Sequence, residues 1–159
     1  MKTLSLDTRS KTSMGGFQVL SDYSLEDFPQ NFSLLILAGG DAWLEQKNSA
    51  VLPVVDYAVK KHIPVGAICN AANFMAENGY LDQIRHSGNT LEFMKLKAPH
   101  YMGEKNFIEQ QAVSDANIIT ANGSAALEFA REILLLLKAK PENTISEWYK
   151  LHKSGFYSN

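Results

Sequence analysis

The fold is decided by the stretch Val65-Gly66-Ala67-Ile68-Cys69-Asn70-Ala71-Ala72. The four residues before Cys69 are small or apolar, which is typical of a strand buried on both faces. Residues 70–78 then favour a helix, and Gly79 is suited to ending it. Because a sharp strand-to-helix turn needs small neighbours, the alanines and glycine around Cys69 favour such an elbow. We therefore expect Cys69 to stand above the end of a strand.

Two more stretches of the same kind lie on either side of this one. Residues 32–38 form a nearly continuous apolar run before Gly39-Gly40, which is what a strand covered on both faces needs. Residues 117–121 predict a third strand, which Asn122-Gly123 turns into the next helix. Apolar spacing predicts helices over residues 48–62, 124–138 and 141–153. Strands alternating with helices indicate an α/β fold with a mostly parallel sheet and helices on both faces.

The remaining segments give weaker patterns. Alternating Leu4 and Leu6 predict a strand, Gly15-Gly16 predicts a hairpin turn, and residues 24–27 predict one helical turn. Residues 84–107 mix glycine, proline, histidine and aromatic residues, so we expect loop and edge structure there. No repeat or linker divides the chain, which predicts one domain over residues 1–159.

Composition excludes several functional classes. The chain has 159 residues, a formal net charge of −2 and no basic patch, so we expect no nucleic-acid partner. We find no apolar run long enough for a signal peptide or a membrane span. A single cysteine cannot form an internal disulfide and fits a reducing cytoplasm. The four histidines lack cysteine or carboxylate neighbours at ligand spacing, so we predict neither a metal nor another cofactor.

The predicted sheet brings three strand ends together around Cys69. Ligands of open α/β sheets bind beyond the carboxyl ends of the strands, where Gly39-Gly40 and Asn122-Gly123 also fall. The positive end of the following helix favours a thiolate at Cys69. The backbone N–H groups of Gly40 and Asn70 are candidate oxyanion donors. A lone cysteine is often only a small buried hydrophobe, but this context favours a functional thiol.

The same segments resemble those of a known family. Residues 34–40, 65–72 and 118–123, with Gly79-Tyr80-Leu81 and Leu127-Glu128-Phe129, resemble the ThiJ/PfpI family of the class I glutamine amidotransferase-like superfamily. The resemblance implies a flavodoxin-like three-layer sandwich, usually dimeric. It also implies that the elbow cysteine is a nucleophile or an oxidation-sensitive thiol.

The resemblance assigns roles to individual residues. Cys69 takes the nucleophile position, and Gly40 and Asn70 take the oxyanion positions. The family's histidine follows the cysteine either immediately, where this chain has Asn70, or about twenty residues later. His86 lies close to that second place and is the candidate base. Trp43 either walls the mouth of the site or caps the sheet edge.

The chain also departs from the family pattern. No late His-x-Glu pair follows Gly123, so a glutamine amidotransferase triad is not expected. Family members usually begin with a strand and a helix that supply a glutamate to the cysteine. We expect this chain to be incomplete at its N-terminus relative to them, as a fragment, as a shortened gene model, or with a partner chain filling the gap.

Three functions remain open from the sequence. The first is a cysteine-dependent hydrolase of the ThiJ/PfpI type, with a peptide bond, a small amide or a glyoxal adduct as substrate. We expect it to act as a cytoplasmic homodimer. The second is a non-enzymatic oxidative-stress sensor or chaperone-like protein in which Cys69 is oxidised. The third is a binding domain without catalytic activity.

Overall fold

A computed structural model describes residues 1–156 of the chain. Its N-terminal part forms two small sheets, in which β1 (Leu4–Ser5) pairs in parallel with β4 (Tyr23–Ser24) and β2 (Lys11–Thr12) pairs antiparallel with β3 (Gln18–Val19). The hairpin predicted at Gly15-Gly16 is confirmed. Residues 24–27 form a single turn, in which the Asp27 N–H donates to the Ser24 carbonyl at 3.3 Å and the Asp27 carboxylate accepts the Ser24 N–H at 2.6 Å, and no helix continues from it.

The main sheet has four strands. β5 (Leu35–Leu37), β6 (Val65–Ile68) and β8 (Ile118–Ala121) are parallel, whereas β7 (Ala112–Asp115) runs antiparallel to β8; the spatial order is β5-β6-β8-β7. Strand β7 is not predicted by the sequence. A two-residue turn, with positive φ angles of 46° and 64° at Ala116 and Asn117, joins it to β8.

Five α-helices accompany the sheet: α1 (Leu52–Lys60), α2 (Asn70–Glu77), α3 (Leu91–Lys97), α4 (Ala126–Leu136) and α5 (Glu142–Ser154). Short 3-10 helices span Asp41–Leu44, Gln46–Val51 and Glu104–Asn106. Helix α3 lies where loop structure was expected. Its start is fixed by Thr90, whose hydroxyl accepts the Phe93 N–H at 3.1 Å. In residues 1–156, no helix has the length and apolar character needed to cross a membrane.

The sheet separates two apolar clusters, as the alternation of side chains along each strand requires. Val65 and Ala67 of β6 belong to the cluster formed with α1, α2 and α3. Gly66 faces the other cluster, where a Cβ atom on it would lie 2.7 Å from the ring of Phe129 in α4. Helix α5 packs outside α4. The predicted flavodoxin-like α/β fold, with helices on both faces of a mostly parallel sheet, is confirmed.

Strand β5 differs from its prediction. It forms the edge of the four-stranded sheet, and the Ile36 side chain is 44% exposed. The expectation that this strand is covered on both faces is therefore wrong for Ile36. Within residues 1–156, β5 hydrogen-bonds to a neighbouring strand on one side only, so the apolar run overstates its burial.

Candidate functional site around Cys69

Cys69 occupies the elbow that the sequence predicts. Its φ and ψ angles are 61° and −129°, a region that a non-glycine residue enters at a cost of about 1–3 kcal/mol. Strand β6 ends one residue before it, and α2 begins one residue after it. The backbone N–H of Cys69 donates to the carbonyl of Ala121 on β8 at 2.9 Å, which helps to hold the strained backbone. The side chain is half-buried, so solvent still reaches this residue.

Glycines from the two neighbouring strand ends make room for Cys69. A Cβ atom on Gly39, after β5, would lie 3.2 Å from the Cys69 Cβ. A Cβ atom on Gly123, after β8, would lie 3.1 Å from the Cys69 sulfur. Gly40 has open space at the corresponding position. The predicted site residues Gly39 and Gly123 are thus brought against Cys69 by the sheet.

Asn89 supplies the polar contact to the sulfur. Its Oδ1 accepts the Gly123 N–H at 2.8 Å, which orients the amide so that Nδ2 points to the Cys69 Sγ at 3.7 Å. Sequence reasoning missed this residue. Two features of the sequence could have indicated Asn89: it follows Gly88, and it lies twenty residues after Cys69. His86 lies at nearly the same separation from Cys69, so spacing did not distinguish the two residues.

His86 occupies a different place from the one expected of a base. It is fully buried, and its Nδ1 lies 2.8 Å from the Ile84 carbonyl. A carbonyl only accepts, so Nδ1 carries the proton and Nε2 accepts from the Tyr101 hydroxyl at 2.5 Å. Both ring nitrogens are occupied, and neither bonds to Cys69. The structure therefore does not form the Cys69–His86 pair expected from the sequence.

Burial also affects the charge of His86. The ring lies edge-on to Tyr101 and Phe107, with centroid distances of 5.5 and 5.8 Å. Desolvation by these surroundings lowers the pKa of His86, while the bond to Ile84 opposes this change only in part. The imidazole is neutral at pH 7 and serves as a buried hydrogen-bonding group between two segments.

A chain of polar side chains supports the first residue of α2. The Asp41 carboxylate accepts from Asn70 Nδ2 at 2.9 Å, and Asn70 Oδ1 accepts from Asn73 Nδ2 at 3.0 Å. Asn70 and Asn73 are buried, at 4% and 1% exposure. The Oδ1 of Asn73 has no hydrogen-bond partner among the described residues. Asp41 was not among the predicted site residues, although it directly follows Gly39-Gly40.

The two expected oxyanion donors have free backbone N–H groups. The N–H of Asn70 is at the first position of α2, where helix geometry leaves donors without an intrahelical partner. Neither this N–H nor that of Gly40 donates to another group in residues 1–156. Their role as oxyanion donors stays a prediction.

Trp43 and Asn122 stabilise the segments that follow β5 and β8, and neither forms a hydrogen bond with Cys69. The Trp43 ring packs on Phe74 of α2 with a centroid distance of 4.9 Å, and its Nε1–H donates to the Ala38 carbonyl at 2.6 Å. These contacts fix the segment that follows β5. The Oδ1 of Asn122 accepts the Ser124 N–H and hydroxyl at 3.0 and 2.8 Å, shaping the turn before α4.

A cleft of about 500 Å³ opens next to Asn89. It lies between the segment leading into α3 and the segment leading into β7, and Asn122 forms part of its wall. Most of its lining side chains are polar. Within residues 1–156, no three histidine, cysteine or acidic side chains come together in a way that would hold a metal ion.

The α/β fold and the cysteine elbow agree with the family to which comparison assigns the chain. The family model described as DJ-1/PfpI family matches residues 1–136. The chain therefore belongs to the DJ-1/PfpI family, as its resemblance to ThiJ/PfpI proteins implied.

Several known proteins are similar to this chain. Two Bacillus subtilis (strain 168) proteins carry the names Uncharacterized protease YdeA and Uncharacterized protease YoaZ. They are 39% and 37% identical over 155 and 153 residues, which cover 98% and 96% of this chain and 77% and 73% of theirs. A crystal structure of a ThiJ/PfpI family protein from Bacillus anthracis has a TM-score of 0.90 at 38% identity, covering 96% of this chain and 73% of that one. The DJ-1 superfamily protein Atu0886 from Agrobacterium tumefaciens has a TM-score of 0.83 at 31% identity, covering 94% and 81%.

Proposed function

We propose that this protein is a cysteine-dependent hydrolase that uses Cys69 as its nucleophile. The observation that carries the proposal is the strained, half-exposed elbow at Cys69, whose sulfur is in contact with the Asn89 amide. Strain of this kind persists where the surrounding structure enforces it, and it is concentrated at reactive sites. The names of the two Bacillus subtilis relatives favour an amide bond as the target.

The proposed chemistry uses Cys69 and backbone groups of the neighbouring strand end and helix start. The Cys69 thiolate attacks the carbonyl carbon of an amide, forming a carbon–sulfur bond and an oxyanion. The free N–H groups of Gly40 and Asn70 hold that oxyanion. The oxyanion then collapses and the carbon–nitrogen bond breaks, and the leaving amine takes a proton from water, which leaves hydroxide. That hydroxide attacks the thioester carbonyl, and the carbon–sulfur bond breaks, which releases the carboxylic acid and restores the thiolate.

Proton transfer in this proposal does not use His86. Its Nε2 is occupied by Tyr101, and its desolvation disfavours the protonated form. In the proposed mechanism water takes the thiol proton of Cys69, and the sulfur then lies beside the start of α2 and the Asn89 Nδ2.

Turnover assays on the purified chain test the proposal. The probes are fluorescently labelled casein, a panel of aminocoumarin-labelled dipeptides and a methylglyoxal adduct of N-acetylcysteine. We expect hydrolysis of at least one probe, and its loss in both Cys69→Ala and Cys69→Ser. Glu142→Gln, on the exposed start of α5, is the control and retains activity. Undiminished hydrolysis by the folded Cys69→Ala protein contradicts the proposal.

A redox sensor is the second candidate function, and the exposure of Cys69 is the observation that favours it. Two molecules of peroxide would each transfer one oxygen to the sulfur and leave as water, giving a sulfinate. The Asn89 Nδ2 and the N–H groups at the start of α2 are donors suited to its oxygens. A mass increase of two oxygens at Cys69 under mild peroxide, without turnover of any probe, favours the sensor.

The assembly and location of the protein are part of the same proposal. We expect a homodimer in the cytoplasm, as the family resemblance and the lone cysteine suggested. Sedimentation velocity over a range of concentrations tests the dimer. A single species with the mass of one chain at all concentrations contradicts it.

A further inference from the structure

The cleft beside Asn89 is not used by the chemistry described so far. Its volume of about 500 Å³ lies within the range of small-molecule sites, and it exceeds what a two- or three-carbon aldehyde needs. Asn89 connects it to the nucleophile, since this residue lines the cleft and also contacts the Cys69 sulfur. Cys69 itself is not part of the lining, and Asn89 lies between the cleft and the sulfur.

The walls of the cleft suit an extended polar substrate. Its polar lining residues include Gln110, Gln111 and Asn122, and its apolar ones are Leu91 and Phe107. Donors and acceptors spaced along a cleft are what the repeating amides of a peptide require. The backbone of the cleft is held in place because Ser87, within its wall, donates its hydroxyl to the Gln110 carbonyl.

The charged residues that line the cleft are all acidic. Glu92 from the first turn of α3 and Glu109 from the segment before β7 both line it, and the lining contains no lysine, arginine or histidine. Neither carboxylate forms an ion pair or a side-chain hydrogen bond with another described residue. Two unpaired carboxylates at one cleft favour a positively charged ligand group.

We infer that this cleft binds the substrate of Cys69, and that the substrate is a short peptide-like acyl compound with a positively charged side group. The cavity and its link to the sulfur define the site, while Glu92 and Glu109 set the preference for charge. This inference rests on the proposed reactivity of Cys69. It does not require that the protein complete a hydrolytic cycle.

Covalent labelling tests the inference independently of turnover. The probes are iodoacetyl-lysine amide and iodoacetyl-norleucine amide, whose side chains differ by one heavy atom in length and by one charge. Mass spectrometry gives the rate at which each one alkylates Cys69. We expect the lysine probe to react faster, by about two- to five-fold for each carboxylate, as for exposed ion pairs. The preference should fall at 1 M salt, where the Debye length is about 3 Å.

Variants locate the source of the preference. Glu92→Gln and Glu109→Gln should each reduce the ratio of the two rates, and the double variant should bring it to about one. A Glu92→Lys, Glu109→Lys protein should instead prefer iodoacetyl-glutamate amide. Glu142→Gln leaves the ratio unchanged, because this residue is on α5 and outside the cleft.

The outcomes separate the two levels of the proposal. A lysine preference that depends on both carboxylates, without hydrolysis of any probe, supports the cleft and contradicts the hydrolase. Hydrolysis of a probe that depends on Cys69, with equal labelling rates for the lysine and norleucine probes, supports the hydrolase and contradicts the cleft. Equal labelling rates in the parent protein and in all folded variants overturn the inference.

Discussion

Replacing Asn89 by aspartate removes its hydrogen bond to the Cys69 sulfur and keeps its hydrogen bond to the Gly123 N–H. Aspartate keeps the acceptor for the Gly123 N–H, which lies at 2.8 Å, but replaces the Nδ2 donor at 3.7 Å from the sulfur with an anionic oxygen. A hydrogen bond to a charged group contributes about 1.5–3 kcal/mol, and about 1.4 kcal/mol corresponds to a factor of ten. Like-charge repulsion from the new carboxylate adds to this loss. We expect alkylation of Cys69 at pH 7 to slow by about ten-fold to several hundred-fold.

The assay is the second-order rate of iodoacetamide addition, followed by intact mass. Urea unfolding supplies the matched measurement, since Asn89→Asp should unfold at nearly the parental midpoint. Asn89→Ala loses both bonds, so its free energy of unfolding should fall by about 1 kcal/mol as well. If folded Asn89→Asp reacts within two-fold of the parent rate, the Asn89 amide does not stabilise the reactive sulfur and our description of the site is wrong.

Further predictions concern the buried core. Tyr101→Phe leaves the His86 Nε2 without its donor, so the free energy of unfolding should fall by about 1–3 kcal/mol in urea titrations. Because burial lowers the pKa of folded His86, the unfolded chain binds more protons. Stability from this residue is complete above the ordinary imidazole pKa of about 6.5 and is lost as the pH falls below it. Urea unfolding midpoints at pH 7.5 and pH 5 measure this loss of stability. In a His86→Gln protein the difference between the two midpoints should be smaller, by the part that comes from His86. Gly66→Ala places a Cβ atom 2.7 Å from the Phe129 ring and should destabilise by about 1–3 kcal/mol, measured by thermal unfolding.

Much of the fold can be predicted from local sequence. The apolar runs before Cys69 and Asn122 are strong signals, because a strand covered on both faces needs apolar residues at every position. Both strands are present, as β6 and β8. Strand β7 and helix α3 escaped prediction. The first has a mixed sequence, and the second is a short helix whose start depends on one threonine cap.

The local sequence predicts that Cys69 lies at the elbow, whereas the tertiary structure decides which residues surround it. Small residues next to Cys69 favour a sharp elbow, so the sequence locates it, although Gly39 and Gly123 from the neighbouring strand ends also make room for it. His86 and Asn89 are only three residues apart, and spacing cannot tell which of them faces the sulfur. That choice is made by packing, since the His86 ring is enclosed by Tyr101 and Phe107 while Asn89 is drawn to the Gly123 N–H. Contacts between residues so distant in sequence exist only once the sheet has assembled.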